Sequence, residues 1–366
     1  MPAKKKVATD SAVPITAYKG FLDDMTCRPD GKVFQFEIGQ TYKHDGKVKA
    51  CKGGFHVITG HPLALFSYYA PAGTRICQVE ISGATDSDDG GEKTAAEILT
   101  IGKEIGLTQL ILDAVKWVTD RAKLVDGDYT AGDSEAVKST KDRGAATASG
   151  YQGAATASGD WGAATASGTR GAATASGERG AATASGDWGA ATASGTRGAA
   201  TASGDWGAAT ASGARGAATA SGVCGAATAS GARGAATASG ARGAATASGD
   251  WGAATASGER GAATASGYQG AATALGYQGA ATASGDWGAA TASGVCGAAT
   301  ASGFQGAATA SGYEGKARGK EGCVLFLAER SGSGEILNAW AGIVGRDGIK
   351  PDQFYRLVDG KPVEVA

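Results

Sequence analysis

From Gly144 to Glu314 the chain repeats one nine-residue phrase, Gly-Ala-Ala-Thr-Ala-Ser-Gly-x-x, in 171/9 = 19 unbroken copies. One copy departs from it, with Leu275 in place of Ser. Only the last two positions vary freely, through Asp-Trp, Thr-Arg, Glu-Arg, Ala-Arg, Tyr-Gln, Val-Cys, Phe-Gln and Tyr-Glu. A fixed short period restricts the chain to repeat architectures in which each copy is one structural unit. Collagen needs glycine at every third position together with proline, and a heptad coil needs a large apolar seam of period seven. Neither pattern is present. A flexible linker competes, because Gly, Ala, Ser and Thr bury little apolar area against the entropy of ordering. The unbroken register favours order, as does glycine at two fixed points, where corners of positive φ suit it.

The phrase predicts a β-solenoid. Ala-Ala-Thr-Ala forms a short strand, Ser-Gly-x-x a corner, and two phrases close a coil of about eighteen residues. A three-phrase coil of about twenty-seven is the other solution. Successive coils pair in parallel, with Ala and Thr pointing inward. The sheets then approach closely, and ladder hydrogen bonds with close packing carry most of the stability. At about 4.8 Å per coil the repeats build a rod of roughly 45 Å.

The variable pairs form ladders on the rod's edges. Trp161, Trp188, Trp206, Trp251 and Trp287 each follow an Asp, and Arg170, Arg179, Arg197, Arg215, Arg233, Arg242 and Arg260 hold the same phrase position elsewhere. Arg stacked over Trp at coil spacing gives cation–π contacts of about 0.5–1 kcal/mol each. Such edges serve solubility and inter-coil stacking, and rows of exposed aromatics also suit a protein partner.

A length of 366 residues allows two or three domains, and the net charge of −1 gives no overall pull toward nucleic acid or membrane. Within the repeats the seven arginines face five Asp of the Asp-Trp pairs plus Glu178, Glu259 and Glu314. That balance argues against a DNA mimic and against a phosphate-tracking rod. Met-Pro-Ala-Lys-Lys-Lys lacks the apolar core of a signal peptide, and no stretch is long and apolar enough to span a bilayer. A cytoplasmic setting with free thiols is therefore expected for Cys27, Cys51, Cys77, Cys224, Cys296 and Cys323.

Residues 1–15 read as a basic, flexible tail. Residues 16–125 read as an α+β domain. Its strands are expected at Tyr18–Phe21, Val33–Glu37, Gln40–Lys43, Lys47–Ala50, Gly54–Val57 and Arg75–Ser82. A short helix follows Pro62, Asp86–Glu92 forms an acidic loop, and Thr108 caps a helix running to about Lys123. Residues 126–143 read as a linker. Residues 315–366 read as a β cap with strands at Cys323–Ala328, Leu337–Val344 and Phe354–Val358. A solenoid's last coil exposes a raw edge, and such a cap covers it.

Several stretches together resemble an uncharacterised family of phage and prophage proteins. They are Tyr18–Phe21, Phe34–Gly39, Cys51–His56, Leu107–Val118, Gly322–Arg330 and Ile349–Tyr355. That family joins a similar N-terminal domain to nonapeptide repeats, often Ser-Ala-Ala-Thr-Asn-Thr-Gly-x-x. The resemblance implies this architecture and a phage-related origin, and it implies no activity. The present phrase departs from the family's in its Gly and its Ala-Ser.

Catalytic candidates are few. Tyr18-Lys19-Gly20, Gly54-Phe55-His56-Val57 before a helix and Gln78-Val79-Glu80 in a strand resemble the layout of ADP-ribosyltransferases. That resemblance implies Lys19 as the basic residue and Glu80 as the acid around a nicotinamide dinucleotide, although the usual Ser-Thr-Ser is absent. Cys27, Cys51, His56 and His61, with His44 nearby, are the candidate metal ligands. The run Cys51-x4-His56-x4-His61 fits no zinc knuckle, and neither metal nor cofactor is expected. Thr and Ser two apart in each phrase would form a two-column hydroxyl array of ice-binding type if both faced outward. No phosphate loop and no catalytic triad is present. The sequence thus describes a mainly β, non-enzymatic protein of phage type. Its solenoid rod spaces or presents the N-terminal domain and offers Trp/Arg ladders to a protein partner, with a homo-oligomer as a further possibility. An enzymatic N-terminal domain on a scaffold is the alternative.

Overall fold

A computed structural model describes residues 10–27, 33–71, 73–87, 91–121, 123–124, 128–346 and 348–365. The chain divides into two units, residues 1–117 and 118–366.

The first unit is a small β domain. Its strands are β1 (Asp10–Phe21), β2 (Thr26–Cys27), β3 (Phe34–Gln35), β4 (Thr41–Lys43), β5 (Phe55–Ile58), β6 (Arg75–Ser87) and β7 (Lys93–Ile105). Helix α1 (Leu107–Arg121) follows and runs across the division. β6 pairs antiparallel with β1 and with β7, and β5 does the same, so four strands close into a ring to which β4 adds along β7. Alternation sends Ala17, Phe21, Val57, Val79, Ile81, Leu99 and Ile101 into one buried cluster. Tyr18 ties β1 to α1, its hydroxyl donating to Asp113 Oδ2 at 2.9 Å.

Four expectations change here. β1 already runs from Asp10, so the tail is shorter than residues 1–15, and residues 1–9 lie outside the described residues. Lys47–Ala50 forms only an isolated bridge, Lys49 to Gly53, in place of a strand. The acidic stretch begins inside β6, where Asp86 Oδ2 accepts the Ala50 N–H at 2.8 Å. β7 has no counterpart among the expected strands. Ala95, Ala96 and Gly102 dilute its β-propensity, yet it borders β4, β5 and β6, and tertiary pairing decides its state.

The second unit is the solenoid. It opens with β8 (Lys123–Leu124), β9 (Tyr129–Thr130) and β10 (Glu135–Ser139). Nineteen strands follow, β11–β29, one for each phrase from Ala145–Ala148 to Ala307–Ala310. From β11 to β28 every strand residue pairs in parallel with the residue eighteen further on, as Ala145 with Ala163 and Ala154 with Ala172, and only β29 pairs at seventeen, Ala307 with Val324. The coil is therefore two phrases long, and alternate strands build two separate sheets.

The ladders reach past the repeats at both ends. β10 pairs parallel with β12 and β11 with β9, so much of the expected linker 126–143 is coil. At the other end β30 (Lys316–Gly319) and β31 (Val324–Arg330) continue the same parallel pairings. The solenoid thus spans about eleven coils from Tyr129 to Leu327, or about 53 Å at a rise of about 4.8 Å. Beyond it β32 (Ile336–Ile343), β33 (Phe354–Val358) and β34 (Lys361–Val365) pair antiparallel and end each sheet. Leu325, Leu327, Val344, Ile349, Tyr355 and Leu357 close the core with larger side chains.

The core itself differs from expectation. Only the second and fourth residues of each strand point inward, as Ala164 and Ala166 do at 1% and 0% exposure. Thr165 is half-buried on the outer face with Ala163, because residues two apart share a side. The interior is therefore alanine against alanine.

The glycines also serve a purpose other than the expected one. No phrase glycine takes positive φ. A Cβ on Gly186 would overlap the Gly168 carbonyl of the previous coil, and one on Gly171 would come 2.8 Å from the Ala166 Cβ. Glycine is needed here for close approach, between coils at positions such as Gly186 and within the corner at positions such as Gly171. Positive φ falls instead on the second variable residue, as at Trp161, Trp251, Gln269, Trp287 and Cys296.

Candidate functional site

Coil stacking sorts the variable residues into two columns, one at each corner of the coil. Trp161, Arg179, Arg197, Arg215, Arg233, Trp251 and Trp287 stand in the first, and Arg170, Trp188, Trp206, Arg242 and Arg260 in the second. The expected Arg–Trp stacking occurs in both. Arg179 lies 4.2 Å from the Trp161 ring centroid and Arg233 5.4 Å from that of Trp251. Arg170 lies between Tyr151 at 5.2 Å and Trp188 at 4.9 Å. Trp188 and Trp206 stack on each other at 5.4 Å, whereas Trp161, Trp251 and Trp287 each remain about half exposed.

Separation into columns gathers like charges into a local run within the first column. In the first column Arg179, Arg197, Arg215 and Arg233 are consecutive and exposed. The residues beside the last three are Thr196, Ala214 and Ala232, so no acid interrupts the column between Glu178 and Asp250. Like charges set side by side repel. The stretch from Arg197 to Arg233 is therefore basic, although over its full length the column sets Asp160, Glu178, Asp250 and Asp286 against its four arginines.

The corner backbone exists in two forms. From Trp188 to Arg242, and at Arg260, the second variable residue donates its N–H to the preceding coil, as Cys224 does to Asp205 O at 2.7 Å. At Arg143, Trp251, Gln269, Gln278, Trp287 and Cys296 it donates to the following coil, as Cys296 does to Tyr313 O at 2.8 Å. The forward form coincides with positive φ. The identical pair Val-Cys takes both forms, and so does Asp-Trp. Neighbouring corners therefore set the form, since each N–H needs a carbonyl turned toward it.

The two sheets also differ outside. Along the β13–β27 sheet Ala stays exposed, Thr half-buried and Ser exposed at successive outward positions. On the other sheet the outward Ala154, Ala172, Ala190, Ala208, Ala226 and Ala244 are buried, as are Thr192, Thr210 and Thr228.

The catalytic candidates of the first unit are not brought together. Lys19 pairs in register with Cys77 and Glu80 with Thr16, which puts Lys19 and Glu80 on opposite faces of the β1–β6 pair. Lys19 is buried and Glu80 exposed. The metal candidates are also engaged elsewhere. His56 Nε2 accepts the Cys51 N–H at 2.9 Å, and burial first, then Lys93, Lys19 and His44, lowers its proton affinity. His61 is buried edge-on to Trp117 at 5.3 Å. Cys27 Sγ lies 3.7 Å from Gly20 O and 3.9 Å from the Tyr69 hydroxyl. Among the described residues no three His, Cys, Asp or Glu side chains gather as a metal site.

All six cysteines are unpaired, and among the described residues no helix is long and apolar enough to cross a membrane. Residues 15–113 match a family described as a domain of unknown function (DUF7666). No curated protein and no solved structure matches the chain. The chain therefore joins a DUF7666 domain to a β-solenoid repeat region.

Proposed function

We propose that this is a non-enzymatic binding protein of phage type, in which the solenoid presents the N-terminal domain and its first corner column engages an acidic protein partner. The observation that carries the reading is the uninterrupted run Arg179, Arg197, Arg215 and Arg233, flanked by half-exposed Trp161 and Trp251. Arginine and tryptophan are the side chains most often at the energetic centre of interfaces. A rigid ladder also presents them without the ordering cost of a loop. The family resemblance of the flanking segments supports the phage setting, and six unpaired thiols suit the cytoplasm.

The test is affinity capture from expressing cells with the parent and with an Arg197→Ser/Arg215→Ser/Arg233→Ser variant. An acidic protein held by the parent, released by salt and lost with the variant supports the reading. Equal capture by both removes the column as the interface. Loss of the bound material after nuclease treatment would point to nucleic acid and also overturn it.

One observation favours a second reading. The outward Thr of one sheet stack in register, Thr165 on Thr183 on Thr201, and Ser two residues on is exposed beside them. This is the two-column hydroxyl array that an ice-binding face requires. Thermal hysteresis at millimolar protein supports that reading, and its absence ends it.

A further inference from the structure

The N-terminal domain holds a cavity of about 600 Å³ whose chemistry the solenoid reading does not use. That volume lies within the range of about 300–1,000 Å³ typical of small-molecule sites. Lys19 stands against it, 6% exposed, with Nζ donating to His56 O at 2.9 Å. Its ammonium also lies 5.6 Å and 5.7 Å from the ring centroids of Phe21 and Phe36. An ammonium has three protons to donate, and no carboxylate among the described residues bonds to this one. A buried charge without a counter-charge is costly and clusters at functional sites.

The rest of the wall points the same way. Lys43, Lys52 and Lys93 line the cavity with Lys19, whereas Asp45 is the single acid among its described lining residues. Lys43 is committed to Glu97 at 3.3 Å, and Lys93 lies 4.4 Å from the Tyr68 ring centroid. Phe34, 39% exposed, lines the cavity and leads an aromatic group, 4.6 Å from Phe36 and 6.1 Å from Phe55. Cationic and aromatic side chains thus line the cavity together.

We infer that this cavity binds a nucleoside phosphate, the phosphate meeting Lys19 and Lys52 and the base packing on Phe34. A phosphate gives Lys19 the counter-charge that the protein withholds. A planar base matches an exposed aromatic face, and base–aromatic stacking tolerates any base. The inference is one of binding: Glu80, the acid a transfer reaction would need, lies on the opposite face of the β1–β6 pair.

The test is calorimetric titration of the full chain with AMP, adenosine and inorganic phosphate. AMP is expected to bind more tightly than either fragment. Lys19→Met is expected to weaken AMP by about tenfold or more, the usual cost of a lost hydrogen bond to a charged group. Lys52→Ala changes an exposed residue and is expected to weaken AMP while melting as the parent does. Phe34→Ala, which also gives up ring contacts to Phe36, Tyr42 and Phe55, is expected to weaken AMP while Phe34→Leu melts close to the parent. No binding of AMP to the parent overturns the inference. So does phosphate or adenosine binding as tightly as AMP, or AMP affinity unchanged in both Phe34→Ala and Lys52→Ala.

Discussion

Lys19 carries its charge where charge is disfavoured. Burial, the largest cause, and Lys93 both lower its proton affinity, and only Cys27 acts the other way. From the elements around it, β2 presents the Cys27 thiol, β5 the His56 carbonyl and β7 the Lys93 ammonium. The unfolded chain binds this proton more tightly than the folded one does. Stability therefore rises with pH across the window between the lowered folded value and the ordinary lysine value. Lys19→Met is expected to raise the melting temperature at neutral pH, with the gain over the parent shrinking as pH climbs through that window. A gain that stays constant with pH would show that Lys19 is not the group relieved. Its position was legible in part, since Ala17, Lys19 and Phe21 sit two apart and alternation places them on one face. The cavity around it was not, because Phe34, Lys52, Tyr68 and Lys93 come from separate elements and no local spacing links them.

At the scale of the element, the coil is held by contact too close for any side chain at the glycine positions. Ser167 N donates to Ala148 O at 3.0 Å and Ala163 N to Gly144 O at 2.9 Å, and the same bonds recur coil after coil. Each contributes about 1 kcal/mol net, while each inward alanine adds only a methyl. Gly186→Ala drives a methyl into the Gly168 carbonyl, which cannot move without its own coil. It is expected to cost about 3 kcal/mol, the upper end for overpacking. Ser185→Ala next to it, on an exposed side chain, should stay within about 0.5 kcal/mol. Urea melts of the two variants against the parent decide the point, and equal midpoints would refute close approach as the reason for glycine. Period and strand position were readable from the phrase alone, because glycine and alanine recur at fixed places. The outward threonines and the second-residue corners were not readable, because either side of a four-residue strand accepts Thr or Ala. The cap shows a related contrast. β34 carries Lys361, Pro362 and Glu364, which discourage pairing at a sheet edge, whereas β32 offers Ile336, Leu337 and Trp340 without a charge.

At the scale of the whole molecule, two phrases per coil mean that the number of copies sets more than length. Deleting residues 198–206, one phrase, carries Arg215 and Arg233 from the first corner column to the second and leaves Arg179 and Arg197 behind. Deleting residues 198–215, two phrases, keeps Arg179, Arg197 and Arg233 in line. Both variants retain alanine on alanine at the junction, so both are expected to fold and to melt within a few degrees of the parent by circular dichroism. Only the two-phrase deletion is expected to retain the partner captured through the arginine column. Retention by both would show that alignment is irrelevant to recognition.

The same arithmetic governs inheritance. A slip of one phrase, gained or lost, hands every later side chain to the opposite side of the rod. A slip of two leaves the message on each side readable, one line shorter or longer. Parity, and not length alone, is what such a gene must keep.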